Sequence, residues 1–150
     1  MDVVSPDRIR NVALVGHGGA GKTTLAEALL FEAGAITRRG RVGDGNTVCD
    51  FDPMEKEYGH SLAPGYADFV GDVAAALRVV ALAVFVVSAV EGIGVQTEAI
   101  WKMAADLGVP RMVFINKLDR ERASFPRVLE QLRDRFGAGI APLELPIGEE

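Results

Sequence analysis

The segment Gly16-His17-Gly18-Gly19-Ala20-Gly21-Lys22-Thr23 constrains this chain more than any other, because it satisfies the spacing GxxxxGK[ST]. Asn11 to Val15 before it is a short β-branched and aliphatic run. From Lys22 onward Leu25, Ala28, Leu29 and Glu32 recur at helical spacings. The local reading is strand, glycine turn, then a helix to about Ala33. Such a turn points successive backbone N–H groups at a phosphate, adds the positive end of a helix and brings in Lys22 as a cation. Gly18, Gly19, Ala20, Gly21, Lys22, Thr23 and Thr24 are therefore the candidate phosphate contacts, with the Thr23 hydroxyl offered to Mg²⁺. The same glycines also spell GxGxxG through Gly16, Gly18 and Gly21, and Arg38 and Arg39 stand where an NADP-binding Rossmann domain would place its arginine. Against that alternative, Gly34 to Arg41 reads as loop where a second strand should end, and Lys22 and Thr23 are left without a purpose.

The rest of the chain repeats the alternation. Gly34 to Ser61 loses periodicity and reads as a long loop with little to bury, of a length that is usually functional or mobile. Tyr66 to Leu77 is helical by its Phe69, Val70, Val73, Ala74, Leu77 spacing, and Leu82 to Val87 is apolar on both faces, as a covered parallel strand must be. Gln96 to Leu107 is a second helical stretch, and Met112 to Ile115 a further buried strand. Ser124 is placed to cap a helix starting near Pro126 and running through Phe136 to the Gly137 stop. Ala141 to Ile147 reads as a strand or edge segment. The expected fold is α/β, a mainly parallel sheet with helices on both faces.

With 150 residues, one hydrophobic core is expected. A net charge of -5 argues against a broad nucleic-acid groove, so free DNA is not an expected partner. The lone Cys49 fits a reducing cytoplasm better than a disulfide scaffold. The longest apolar run, Val79 to Val87, has about half the length that a bilayer requires, and the charged N-terminus does not read as a signal peptide. No membrane partner is expected.

Asn116-Lys117-Leu118-Asp119 follows the strand Met112 to Ile115, which places it at the C-terminal edge of the sheet where α/β proteins bind ligands. An NKxD at this place is the guanine-specific element of GTPases. The Asp119 carboxylate can accept from the N1–H and 2-amino group of guanine, whereas adenine offers neither donor. Asn116 buttresses the site through its amide, and the stem of Lys117 lies against the base. Taken alone, NKLD is also compatible with an ordinary turn.

With both motifs in hand, the chain resembles the GTPase domain of elongation factor G, and most of all its divergent paralogues. The resemblance runs through NVALVGHGGAGKTTL, FDPMEKEYGHSL, PGYADF, VSAVEGIGVQTEAIWKMA, VPRMVFINKLDR and PLELPIGEE. It implies a P-loop GTPase domain that binds GTP or GDP with Mg²⁺, docks on the ribosome through rRNA and ribosomal proteins, and hydrolyses GTP during translocation or ribosome disassembly. Ser61 would complete the Mg²⁺ shell from the first switch, about residues 34–61, where Arg38, Arg39 and Arg41 either approach ribosomal RNA or form a solvated loop. Lys22 and Tyr66 are the catalytic candidates. Tyr66 stands where the family has the histidine that orients the attacking water, and a phenol, neutral at pH 7, leaves open a switch module with little GTPase activity. His17 matches a family histidine, with packing and function both open.

Two departures stand out. Gly19 replaces a family aspartate. Ser61-Leu62 runs directly into Ala63-Pro64-Gly65, where the family has two strands and the aspartate of DxPG. The expectation is a GTPase-domain fragment over 1–150, with an internal deletion or join near 62–64, lacking two strands and the C-terminal part of the domain. Without the strand that neighbours it, Asn11 to Val15 would be an exposed edge.

Overall fold

The computed structural model describes residues 5–49 and 73–148. Within these, the chain forms β1 (Val12–Val15), α1 (Lys22–Glu32), β2 (Leu82–Ser88), α2 (Val95–Asp106), β3 (Arg111–Asn116) and α3 (Phe125–Phe136). Residues 73–77 are also helical, within the stretch Tyr66 to Leu77 expected to form a helix, of which residues 66–72 lie outside the described residues. Tyr66 itself, Ser61, the expected join at 62–64 and the first-switch residues beyond Cys49 lie outside the described residues.

The three strands form one parallel sheet in the order β1-β2-β3. Val15 stands opposite Phe85, and Ser88 opposite Asn116, so the C-terminal ends of all three strands gather along one edge. Period-two alternation divides the sheet into two unlike faces. Ala83 and Phe85, with Val15, pack against Leu77, Ile100, Ala104 and Val109, while Val87 packs against Val128 and Leu132. Residues 73–77, α2 and α3 thus seal this face. The opposite face is only partly covered: Val86 is buried, but Val12 is 49% exposed and Met112 and Phe114 are each 40% exposed. The expected parallel sheet with helices is present, and among the described residues its second face is the less covered one. β1 is an edge strand among the described residues.

Local chemistry sets the element ends. The Ser124 hydroxyl accepts from Arg127 N–H at 3.3 Å, Pro126 sits in the first turn and Gly137 ends α3 at φ 102°. Trp101, on α2, stacks on Phe136 at 4.2 Å and meets Phe85 edge-on at 4.8 Å, which joins α2, α3 and β2.

Two expectations need correction. Residues 141–148 form no strand. Pro142 and Pro146 remove two ladder donors from that segment, neither sheet edge is paired with it, and Leu143, Leu145 and Ile147 remain exposed. The segment 34–49 is also less detached than a loop with little to bury. It contains a 3-10 turn at Val42–Asp44, buries Thr47, and donates the Gly40 and Val48 N–H groups to the carboxylate of Glu27.

Candidate nucleotide-binding site

β1 delivers Gly16 into the gathered strand ends, and two of the turn's glycines are required by the protein itself. A Cβ on Gly16, at φ +144°, would stand 2.3 Å from the Val86 carbonyl oxygen. One on Gly21, at φ +99°, would stand 2.2 Å from Asn116 Nδ2. Gly18 is different: nothing lies within 4 Å of a Cβ built there, and its φ is outside the left-handed region. Gly19, at φ +77°, also faces open space. The turn is thus closed on the sheet side and open at Gly18 and Gly19.

Lys22 begins α1 and folds back over the turn. Its ammonium donates to the Gly16 carbonyl at 3.0 Å and the His17 carbonyl at 2.9 Å. Burial pushes its pKa below the ordinary lysine value, because desolvation disfavours the charged form. Among the described residues no carboxylate forms an ion pair with it. Ala20 N–H reaches the His17 carbonyl at 3.3 Å. The N–H groups of Gly18, Gly19, Gly21, Lys22 and Thr23 have no hydrogen-bond partner among the described residues. Gly21 supplies no side-chain cap to α1. A half-buried cation without a carboxylate, beside unpaired N–H groups at a helix N-terminus, is a donor set suited to a phosphate chain. Thr23 is half-buried at the start of α1, and Thr24 is exposed.

The second motif meets the first directly. Asn116, the last residue of β3, donates from Nδ2 to the Ala20 carbonyl at 2.9 Å. Lys117 follows with φ 64°, an uncommon conformation for a residue with a side chain. Asp119 has a largely exposed carboxylate, 3.7 Å from Arg120 Nε. With Leu118, Phe125, Pro126, Pro146 and Ile147 it borders an open cavity of about 810 Å³.

Sequence reasoning did not single out the residues that brace this edge. Ser88 Oγ accepts from the N–H groups of Val90 and Glu91, Gly92 pairs back to Ser88, and Arg127 donates to the carbonyls of Ala89 and Val90. Arg127 gave no signal because its partners are backbone carbonyls. Arg38, Arg39 and Arg41 are exposed.

The Elongation factor Tu GTP binding domain family matches residues 7–63 and 62–144 of this chain. The chain belongs to that family. Its architecture is that of a P-loop GTPase domain fragment, and its family binds guanine nucleotides, which sets aside the NADP-binding Rossmann alternative. It is 43% identical over 162 residues to the "Elongation factor G-like protein" of Mycobacterium tuberculosis H37Rv, covering 96% of this chain and 23% of that protein. It is 35% identical over 167 residues to "Ribosome-releasing factor 2, mitochondrial" of Debaryomyces hansenii, covering 99% of this chain and 19% of that protein. A crystal structure from Thermus thermophilus superposes with a TM-score of 0.83 at 43% identity, over 94% of this chain and 24% of that one. The chain therefore spans less than a quarter of the length of these relatives. No helix among the described residues is long and apolar enough to cross a membrane.

Proposed function

We propose that this GTP-binding domain takes GTP or GDP with its phosphates in the turn Gly18 to Thr24 and its base against Asn116, Lys117 and Asp119, and that the whole protein hydrolyses GTP in a ribosome-linked step in the cytoplasm. The observation that carries the reading is the Asn116 to Ala20 hydrogen bond, which joins the two motifs into one continuous surface. Bound in this way, the β- and γ-phosphates meet Lys22 and the unpaired N–H groups, which favour the charge that develops on the leaving diphosphate. Mg²⁺, held by Thr23 and Ser61, would neutralise phosphate charge. Tyr66 would position the attacking water by hydrogen bonding, without the cationic form available to a histidine.

The ribosomal partner is supported by the name of the Debaryomyces hansenii relative, and the exposed Arg38, Arg39 and Arg41 are available to meet rRNA phosphates. The join near 62–64 is supported by the family match falling in two pieces that meet there, and by an alignment of 162 positions against a chain of 150. Intact mass spectrometry of the expressed polypeptide tests it: a mass above 16.0 kDa by the weight of two strands would mean that the segment exists in the protein.

Titration calorimetry with GTP, GDP and NADPH tests the nucleotide reading. Both guanine nucleotides should bind and NADPH should not. Lys22→Ala should weaken GDP binding by about 1.5 to 3 kcal/mol through loss of a charge-assisted bond. NADPH binding without a GTP or GDP signal would overturn it.

A further inference from the structure

We propose that His17 is a positioning residue whose protonated ring ties the phosphate turn to Glu91 and so holds the turn's N–H groups ready for an anionic ligand. The proposal rests on the nucleotide reading above. His17 Nδ1 lies 2.6 Å from the Gly18 carbonyl oxygen, and Nε2 lies 3.5 Å from Glu91 Oε2. Nε2 is buried and makes no hydrogen bond. A carbonyl only accepts, so Nδ1 carries a proton. In the neutral ring the buried Nε2 then turns a lone pair toward a half-exposed carboxylate that also only accepts, an unfavourable arrangement. A second proton converts the same contact into a charge-assisted N–H to carboxylate bond.

The backbone that carries Glu91 is fixed, while its side chain is half-exposed: the Glu91 N–H is held by Ser88 Oγ at 3.2 Å, and Gly92 closes back on Ser88. The other charged features around the ring oppose the proton. Lys22 donates to the His17 carbonyl, Arg127 grips the carbonyls of Ala89 and Val90, and Gly94, which precedes α2, brings that helix's positive end against the ring stem. Glu91 is the one carboxylate within ion-pair distance of the ring among the described residues. The tie therefore depends on Glu91 and on pH, and an anion in the turn offsets the surrounding positive charge and strengthens it.

The test compares GDP binding by the 150-residue chain, Glu91→Gln and His17→Ala at pH 6 and pH 8. A glutamine amide donates to the neutral ring's Nε2, so Glu91→Gln should keep the tie at both pH values and also cancels the titration of the nucleotide itself. The parent should match Glu91→Gln at pH 6 and bind on the order of tenfold more weakly than it at pH 8. His17→Ala should be weak at both. In the nucleotide-free chain, nitrogen NMR of the two histidines, assigned with His17→Ala, should show both His17 ring nitrogens protonated at pH 6. A neutral His17 ring at pH 6, or parent and Glu91→Gln affinities that track each other at both pH values, would overturn the proposal. Absence of GDP binding together with a doubly protonated ring would overturn the nucleotide reading and leave the His17 to Glu91 tie standing.

Discussion

Gly16 and Gly18 stand two positions apart in the same turn and lack a side chain for different reasons. Gly16 is pressed against the Val86 carbonyl at a φ that side chains avoid, so Gly16→Ala should destabilise the fold by at least about 1 to 3 kcal/mol. Gly18 touches nothing, so Gly18→Ala should leave stability unchanged or raise it by about 0.4 to 1 kcal/mol while its methyl obstructs the phosphates and lowers GDP affinity. Thermal melts and calorimetry on the two variants separate these roles. A Gly18→Ala chain that binds GDP as the parent does would show that the opening at Gly18 is not where a ligand lies. At this scale the sequence is legible wherever backbone geometry dictates the residue: the turn glycines, Lys22 and Asn116 all follow from spacing. His17 and Glu91 are not, because their relation is a contact between two loops remote in sequence, with no motif to announce it.

Among the elements, α1 does more than follow the turn. Glu27 on its buried side accepts from the Gly40 and Val48 N–H groups, so one carboxylate secures both ends of the segment between them. That segment belongs to the proposed first switch, and α1 begins at Lys22, so the attachment connects switch and phosphate turn through a single helix. Glu27→Gln keeps one acceptor but sets an NH₂ group against the other N–H. The expected cost is about 1 to 3 kcal/mol of stability, read from the denaturant midpoint, with faster amide exchange at Gly40 and Val48. Unchanged exchange at both would mean that other contacts hold the segment. The regular elements are readable from period and caps, as with Ser124 and Gly137 around α3. Glu27 is not, because a helical pattern assigns a glutamate to solvent until its backbone partners are seen. The tail at 141–147 misleads because alternating apolar residues suggest a strand, while pairing needs a free edge and donors that prolines lack.

In the molecule as a whole, the proposed nucleotide site lies at one end of a parallel sheet that the described residues cover unevenly. The face under α2 and α3 is sealed, whereas Val12, Met112 and Phe114 on the other are left open and β1 is an edge among the described residues. Alternation of strands and helices predicts the parallel sheet, but cover on a given face depends on which helices are present, and periodicity within each helix does not report that. The family match supports guanine-nucleotide binding, and we propose that specificity resides in Asp119. The most direct test is calorimetry of the parent and Asp119→Asn with guanine and xanthine diphosphates. The parent should prefer GDP. Asp119→Asn should prefer the xanthine nucleotide, because the new amide opposes the guanine 2-amino group with a donor but can donate to the carbonyl that xanthine carries there. If the variant keeps the parent's affinities for both nucleotides, Asn116 to Asp119 is only a turn and the assignment of the base site is wrong.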